Sequence, residues 1–116
     1  MSQPVPQVSV ADVDRVIGRD VLAARRGEVT DLLRQYTASD GPVPVPRVHL
    51  AILKLSGGDP AKVAEFIAAA KQDYRDVLAW AEYPRYSARG GFEEESEEQQ
   101  AINDDWAEYK GWLERG

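Results

Sequence analysis

The sequence predicts an all-α fold, a compact bundle of about five helices, and three observations predict it. Apolar residues recur at spacings of three and four along most of the 116 residues. No segment sustains the period-two alternation of a half-buried strand. Clusters of Gly and Pro cut the chain into helix-sized lengths joined by short connections, which favour antiparallel neighbours. This length fits one domain with one core.

Residues 1–8 contain Pro4 and Pro6 and read as a flexible N-terminal arm. Ser9 with Asp12 three positions on forms a capping-box start. Val10, Val13 and Ile17 then give a first helix to about Arg19. Leu22, Val29, Leu32, Leu33 and Tyr36 form the stripe of a second helix, about 22–38, weakened by Gly27. Pro42, Pro44 and Pro46 alternate in an extended linker, since proline restricts both itself and its predecessor.

Pro46 opens a third helix, about 46–56. Val48, Ile52 and Leu55 face one way, while Leu50 and Leu53 face nearly opposite. A helix apolar on two sides belongs in the middle of a bundle, so helix three is expected to be central. Gly57 and Gly58 end it. Asp59 caps a fourth helix with Pro60 at its first position, and this helix runs to about Glu82. Val63, Ile67, Ala70, Tyr74, Val77 and Ala81 make its seam, flanked by Phe66, Leu78 and Trp80. Residues 83–92 read as loop. The core thus spans 9–92. Residues 93–116 form an acidic segment carrying a last amphipathic helix, about 96–114, expected to dock on the same domain through Ile102, Trp106, Tyr109, Trp112 and Leu113.

Charge is unevenly placed. The formal net charge is −6, and residues 93–116 carry nine acids against two bases while the remainder is nearly balanced. No basic surface is evident, which argues against nucleic-acid binding. The absence of Cys excludes a disulfide scaffold, a thiolate zinc site and a Cys nucleophile, and the single His excludes a His-rich metal site. No cofactor motif is present: Gly57-Gly58 and Gly90-Gly91 follow helices and lack the Lys-Ser or Lys-Thr of a phosphate loop. The first ten residues lack the basic start and apolar run of a signal peptide, and no apolar stretch approaches membrane-spanning length. The expectation is a cytoplasmic protein.

Four groups of residues are candidates for function. His49 is the only imidazole and could act as a general base, but it lies at the border of the apolar surface with no nucleophile placed beside it. Asp73 and Asp76 at i, i+3 could converge as a carboxylate pair. Tyr83, Arg85, Tyr86, Arg89 and Phe92 interleave aromatic and basic residues, a pattern suited to protein contacts; the following Glu93-Glu94-Glu95 opposes a polyanion there. Trp106, Tyr109 and Trp112 supply a large aromatic area on the last helix.

The stretch Lys71-Gln-Asp-Tyr-Arg-Asp-Val-Leu-Ala-Trp-Ala-Glu-Tyr-Pro-Arg85, followed by Asp105-Trp106, Tyr109 and Trp112-Leu113, resembles small uncharacterised bacterial proteins of all-helical build. The resemblance covers residues 47–85 best and implies a helical protein that stands alone as a unit. It carries over no site residue.

The reading reached from sequence is a non-enzymatic helical protein acting through a protein partner or self-association, with no membrane contact. Two alternatives stand beside it. One is a small enzyme whose pocket uses His49 or Asp73/Asp76. The other is an acidic regulator or nucleic-acid mimic acting through the last helix.

Overall fold

The computed structural model describes residues 3–89 and 91–115, which are largely helical and contain no strand. The order is α1 (Val10–Asp20), α2 (Arg26–Leu33), α3 (Val45–Ser56), α4 (Pro60–Glu82), α5 (Pro84–Ala88) and α6 (Glu95–Glu114). Single turns of 3-10 helix, Ala23–Arg25 and Ala38–Asp40, precede α2 and α3.

α1 starts as its sequence dictates. The Ser9 amide donates to the Asp12 carboxylate at 2.9 Å, and the capping box is closed. Its buried stripe is Val13, Val16 and Ile17; Val10, expected on that stripe, is exposed. The single helix expected over 22–38 is instead two short pieces with bends between them. Leu22 is 77% exposed and takes no part in the core. The cause is local capping. The Arg26 guanidinium donates to the Gly18 and Val21 carbonyls at 2.8 and 3.1 Å, closing the end of α1 and turning the chain. At the other end, the Thr37 amide donates to the Asp40 carboxylate at 2.8 Å, so a side chain replaces the next helical hydrogen bond.

α3 buries Val48, Leu50, Ala51, Ile52 and Leu53. Both of its apolar faces are therefore covered, chiefly by α4 and α1. Leu55 is only half-buried, because it lies in the last turn, beside the exposed Gly57. Gly57 and Gly58 adopt φ of 63° and 84°, the left-handed region that glycine enters without a Cβ penalty. A Cβ on Gly58 would also lie 2.8 Å from the Asp20 carbonyl, so the turn out of α3 is pressed against the end of α1. Asp59 then accepts from the Ala61 amide at 3.1 Å and α4 begins at Pro60.

α4 is not the continuous rod its seam predicts. Asp73 leaves helical geometry (φ −158°, ψ 102°), and its carboxylate accepts from the Arg75 amide at 3.0 Å, which caps a second helical segment. The bend brings Phe66 and Trp80 edge to face with ring centroids 6.5 Å apart. A straight helix would separate these positions by about 21 Å. Residues 83–92, expected as loop, contain α5.

α6 docks on this frame. Ile102, Asp105 and Tyr109 are buried beneath it, with Trp112 and Leu113 packed partly against the core. Its C-terminal carbonyls are held from α1. Arg15 donates to the Leu113 and Arg115 carbonyls at 2.6 and 3.1 Å, and Arg19 to those of Trp112 and Arg115, both at 2.7 Å. Two cations thus sit at the negative end of the helix dipole, and Arg19 also lies over the Trp112 ring at 5.2 Å. Of the arm expected over 1–8, the described residues lie against the bundle: Pro6 is buried and the Pro4 carbonyl accepts from the Tyr83 hydroxyl. No helix among the described residues is long and apolar enough to cross a membrane.

Candidate functional site

The end of α4 carries a charge where a helix facing a core would carry an apolar residue. Glu82 is 1% exposed, and it meets Arg47 from the first turn of α3. Arg47 Nε and Nη2 donate to Glu82 Oε2 and Oε1 at 2.9 and 2.7 Å, a bidentate pair. The hydrogen bonds to Glu82 raise the Arg47 guanidinium above its ordinary range and hold it charged. A buried pair of this kind compensates its own desolvation only because both oxygens are engaged.

This pair forms the floor of a cleft of about 420 Å³. Leu78, Ala79, Tyr83 and Tyr86 supply its walls, Arg75 stands on the rim, and Gln3, Pro4 and Val5 line the remaining side. Tyr83 is nearly buried, and burial pushes its hydroxyl up to about 12, with the Glu82 charge adding to the effect. At neutral pH it is protonated and donates a hydrogen bond to the Pro4 carbonyl.

α5 is positioned by α6. Tyr83 precedes Pro84 and has no side-chain group that caps the short helix. Asp105, 1% exposed, caps it from across the fold: the Arg85 and Tyr86 amides donate to its two oxygens at 3.2 and 3.0 Å. The Arg85 guanidinium adds a contact to Asp105 at 3.0 Å and reaches Glu108 at 2.5 Å.

The structure brings most of the aromatic and basic cluster together, in roles that differ residue by residue. Tyr83 and Tyr86 line the cleft. Arg85 is engaged by α6. Tyr86 stacks on Phe92 at 5.6 Å, and the Arg89 guanidinium covers the same Phe92 ring at 4.3 Å while pairing with Glu97 at 3.6 Å. Trp106 stacks on Tyr109 at 6.3 Å, and Trp112 tilts against Tyr109 from the other side. Tyr109 is buried and offers no surface in this arrangement; its hydroxyl has no partner among the described residues, and burial raises its pKa. Trp106 and Trp112 are half-buried.

His49 and the Asp73/Asp76 pair lie elsewhere. His49 Nε2 bonds the Tyr36 carbonyl at 3.1 Å, beyond the end of α2, and its ring packs edge-on to Tyr36. Because a carbonyl only accepts, this nitrogen carries the proton. Burial lowers the His49 pKa, and the hydrogen bond to the Tyr36 carbonyl opposes that shift. Asp73 is engaged by Arg75 at 2.9 and 3.0 Å, which holds its carboxyl below the usual range, while Asp76 is exposed. Among the described residues no group of three or more His, Asp or Glu is placed to hold a metal ion.

Glu82 and Asp105 escaped the sequence reading. The available signal was their spacing. Glu82 follows Leu78 by four and Ala81 by one, and Asp105 falls three after Ile102 and four before Tyr109, so both occupy inward positions. No protein-family model, curated protein or solved structure matches the chain.

Proposed function

We propose that this chain is a cytoplasmic protein-binding module, non-enzymatic, whose contact surface is the cleft between the second half of α4, α5 and the N-terminal segment. The observation that carries the reading is what one side of the cleft is made of. Gln3, Pro4 and Val5, a non-helical piece of polypeptide, line it, and the Tyr83 hydroxyl donates to the Pro4 carbonyl. Aromatic walls with one or two fixed polar donors are a common way of holding a peptide. The residues that would serve a catalyst support this choice, since His49 and Asp73 are each engaged by a partner that holds the backbone or a neighbouring cation. The acidic-mimic reading draws less support, because Asp105, Glu108 and Glu97 meet arginines of the same chain.

The test is site-specific photocrosslinking in cells with the full chain. A photoreactive residue at Ser87, on the cleft, should give a discrete protein adduct. The same group at Lys62, exposed on the first half of α4, should not. Equal labelling from both positions, or none from Ser87, would refute the reading.

A further inference from the structure

Residues 3–5 of the N-terminal segment line one side of the cleft. Among the described residues, 3–8 lie outside every helix and make no backbone–backbone hydrogen bond. Their anchor is a side-chain donor, Tyr83, acting on a proline carbonyl. Pro6 is buried while Val5 between the two prolines is 51% exposed. Pro4 is half-buried and is the proline of this strip that lines the cleft. Proline-rich segments present carbonyls that no internal hydrogen bond occupies, and they lose little entropy on docking because their φ is already fixed. Aromatic-lined grooves with a hydroxyl donor exploit both properties. Beside the strip, the cleft still holds about 420 Å³ between Tyr83, Tyr86 and Leu78.

We infer that the cleft is a docking site for an extended, proline-containing peptide of a partner protein, and that residues 3–5, lining one side of it, cover part of that site in cis as a competing strap. The inference rests on the binding-module reading and adds the partner's chemistry and a means of regulation. The strap is held through one hydroxyl and one buried proline, so a partner peptide need only exceed a weak intramolecular contact raised by its high effective concentration. Tyr83 selects for a free carbonyl. The apolar wall of Leu78 and Ala79 receives the proline ring.

The experiment is fluorescence anisotropy with a labelled peptide of sequence Gln-Pro-Val-Pro-Gln-Val, titrated with full-length protein. A Pro4→Gly/Pro6→Gly variant should bind the peptide at least tenfold more tightly than the unaltered chain. Adding Tyr83→Phe to that variant should reduce binding at least fivefold. A control peptide with both prolines replaced by alanine should bind at least fivefold more weakly. Circular dichroism checks that each variant keeps its helical content. If the double-glycine variant does not fold, the readout is an NMR titration of the unaltered chain, with shifts expected at Leu78, Tyr83 and Tyr86 and at the displaced Val5. Absence of binding or shifts at millimolar peptide would overturn the inference, as would equal binding of the alanine peptide or indifference to Tyr83→Phe. A double-glycine variant that sediments as a dimer would place a second copy in the cleft and also overturn it. A Ser87 adduct in cells together with no peptide binding would leave the module standing and remove only the proline ligand.

Discussion

Arg47 and Glu82 grip each other through two parallel hydrogen bonds of 2.9 and 2.7 Å, and 35 positions of chain separate them. They tie the first turn of α3 to the last turn of α4. Removing one partner leaves the other charge buried without compensation. Glu82→Ala should therefore destabilise the fold by about 3–5 kcal/mol. Replacing both together, as Arg47→Met with Glu82→Leu, should recover most of that loss. Urea denaturation of the three proteins measures it; a single variant within about 1 kcal/mol of the parent would show that water reaches the pair.

Asp105 should act as the latch between α5 and α6. Asp105→Ala orphans two first-turn amides of α5 and should cost about 1–3 kcal/mol. Hydrogen exchange should then accelerate at Arg85 and Tyr86 before it does in α3. Unchanged protection of those two amides would mean that α5 holds itself.

The His49 pKa lies below its ordinary value of 6.5 because burial disfavours the charged form. The unfolded chain therefore binds its proton first as pH falls. The stability tied to neutral His49 is complete above about pH 6.5 and diminishes as pH drops through 6.5 toward the lower folded value. His49→Gln should flatten this part of the stability profile between pH 7 and 5. Identical slopes in the two proteins would contradict a depressed His49.

Tyr109 presents the opposite case to a bonded hydroxyl. Its buried oxygen has no partner among the described residues. Tyr109→Phe should change stability by less than about 1 kcal/mol, and in the stabilising direction, because it removes an uncompensated polar group. A loss above about 2 kcal/mol by thermal or chemical denaturation would reveal a hydrogen bond to that oxygen.

Leu53 is fully buried on the face of α3 opposite to the one its first apolar triad defines. Leu53→Ala should cost about 2–5 kcal/mol by chemical denaturation. A value near zero would place that face against solvent.

Helix starts were legible where the capping group is local. Ser9 with Asp12, and Asp59 with Pro60, encode them within a few residues. Helix interruptions were less so. Asp73 falls between Ile67 and Val77 in an unbroken apolar rhythm, and only its side chain's bond to the Arg75 amide shows that it ends one segment and caps the next. The break over 22–25 depends on Arg26 reaching back to the end of α1, a contact between elements that periodicity along one element does not register. At the candidate site, Tyr83 and Tyr86 were readable as interface-type residues. Glu82 and Asp105 were not, because a carboxylate at an inward position reads as a misfit until its cation or amide partners are known. Tyr109 is readable both as a docking residue and as a contact residue, and its spacing from Ile102 and Asp105 makes it the inward member of the aromatic set.

The arginine clamp at the end of α6 bears on the order of assembly. Arg15 and Arg19 reach carbonyls more than ninety positions away, so this clamp closes only after nearly the whole chain has been threaded into place. Contacts of such long sequence separation form late, since the entropy of closing the loop must be met before they contribute. α6 should then be the last cooperative unit to settle and the first to open under native conditions. Because Asp105 rides on α6 and caps α5, each excursion of that unit would also loosen one wall of the cleft. On the proposed reading, opening at the far end of the sequence would then act on the same cleft that residues 3–5 line.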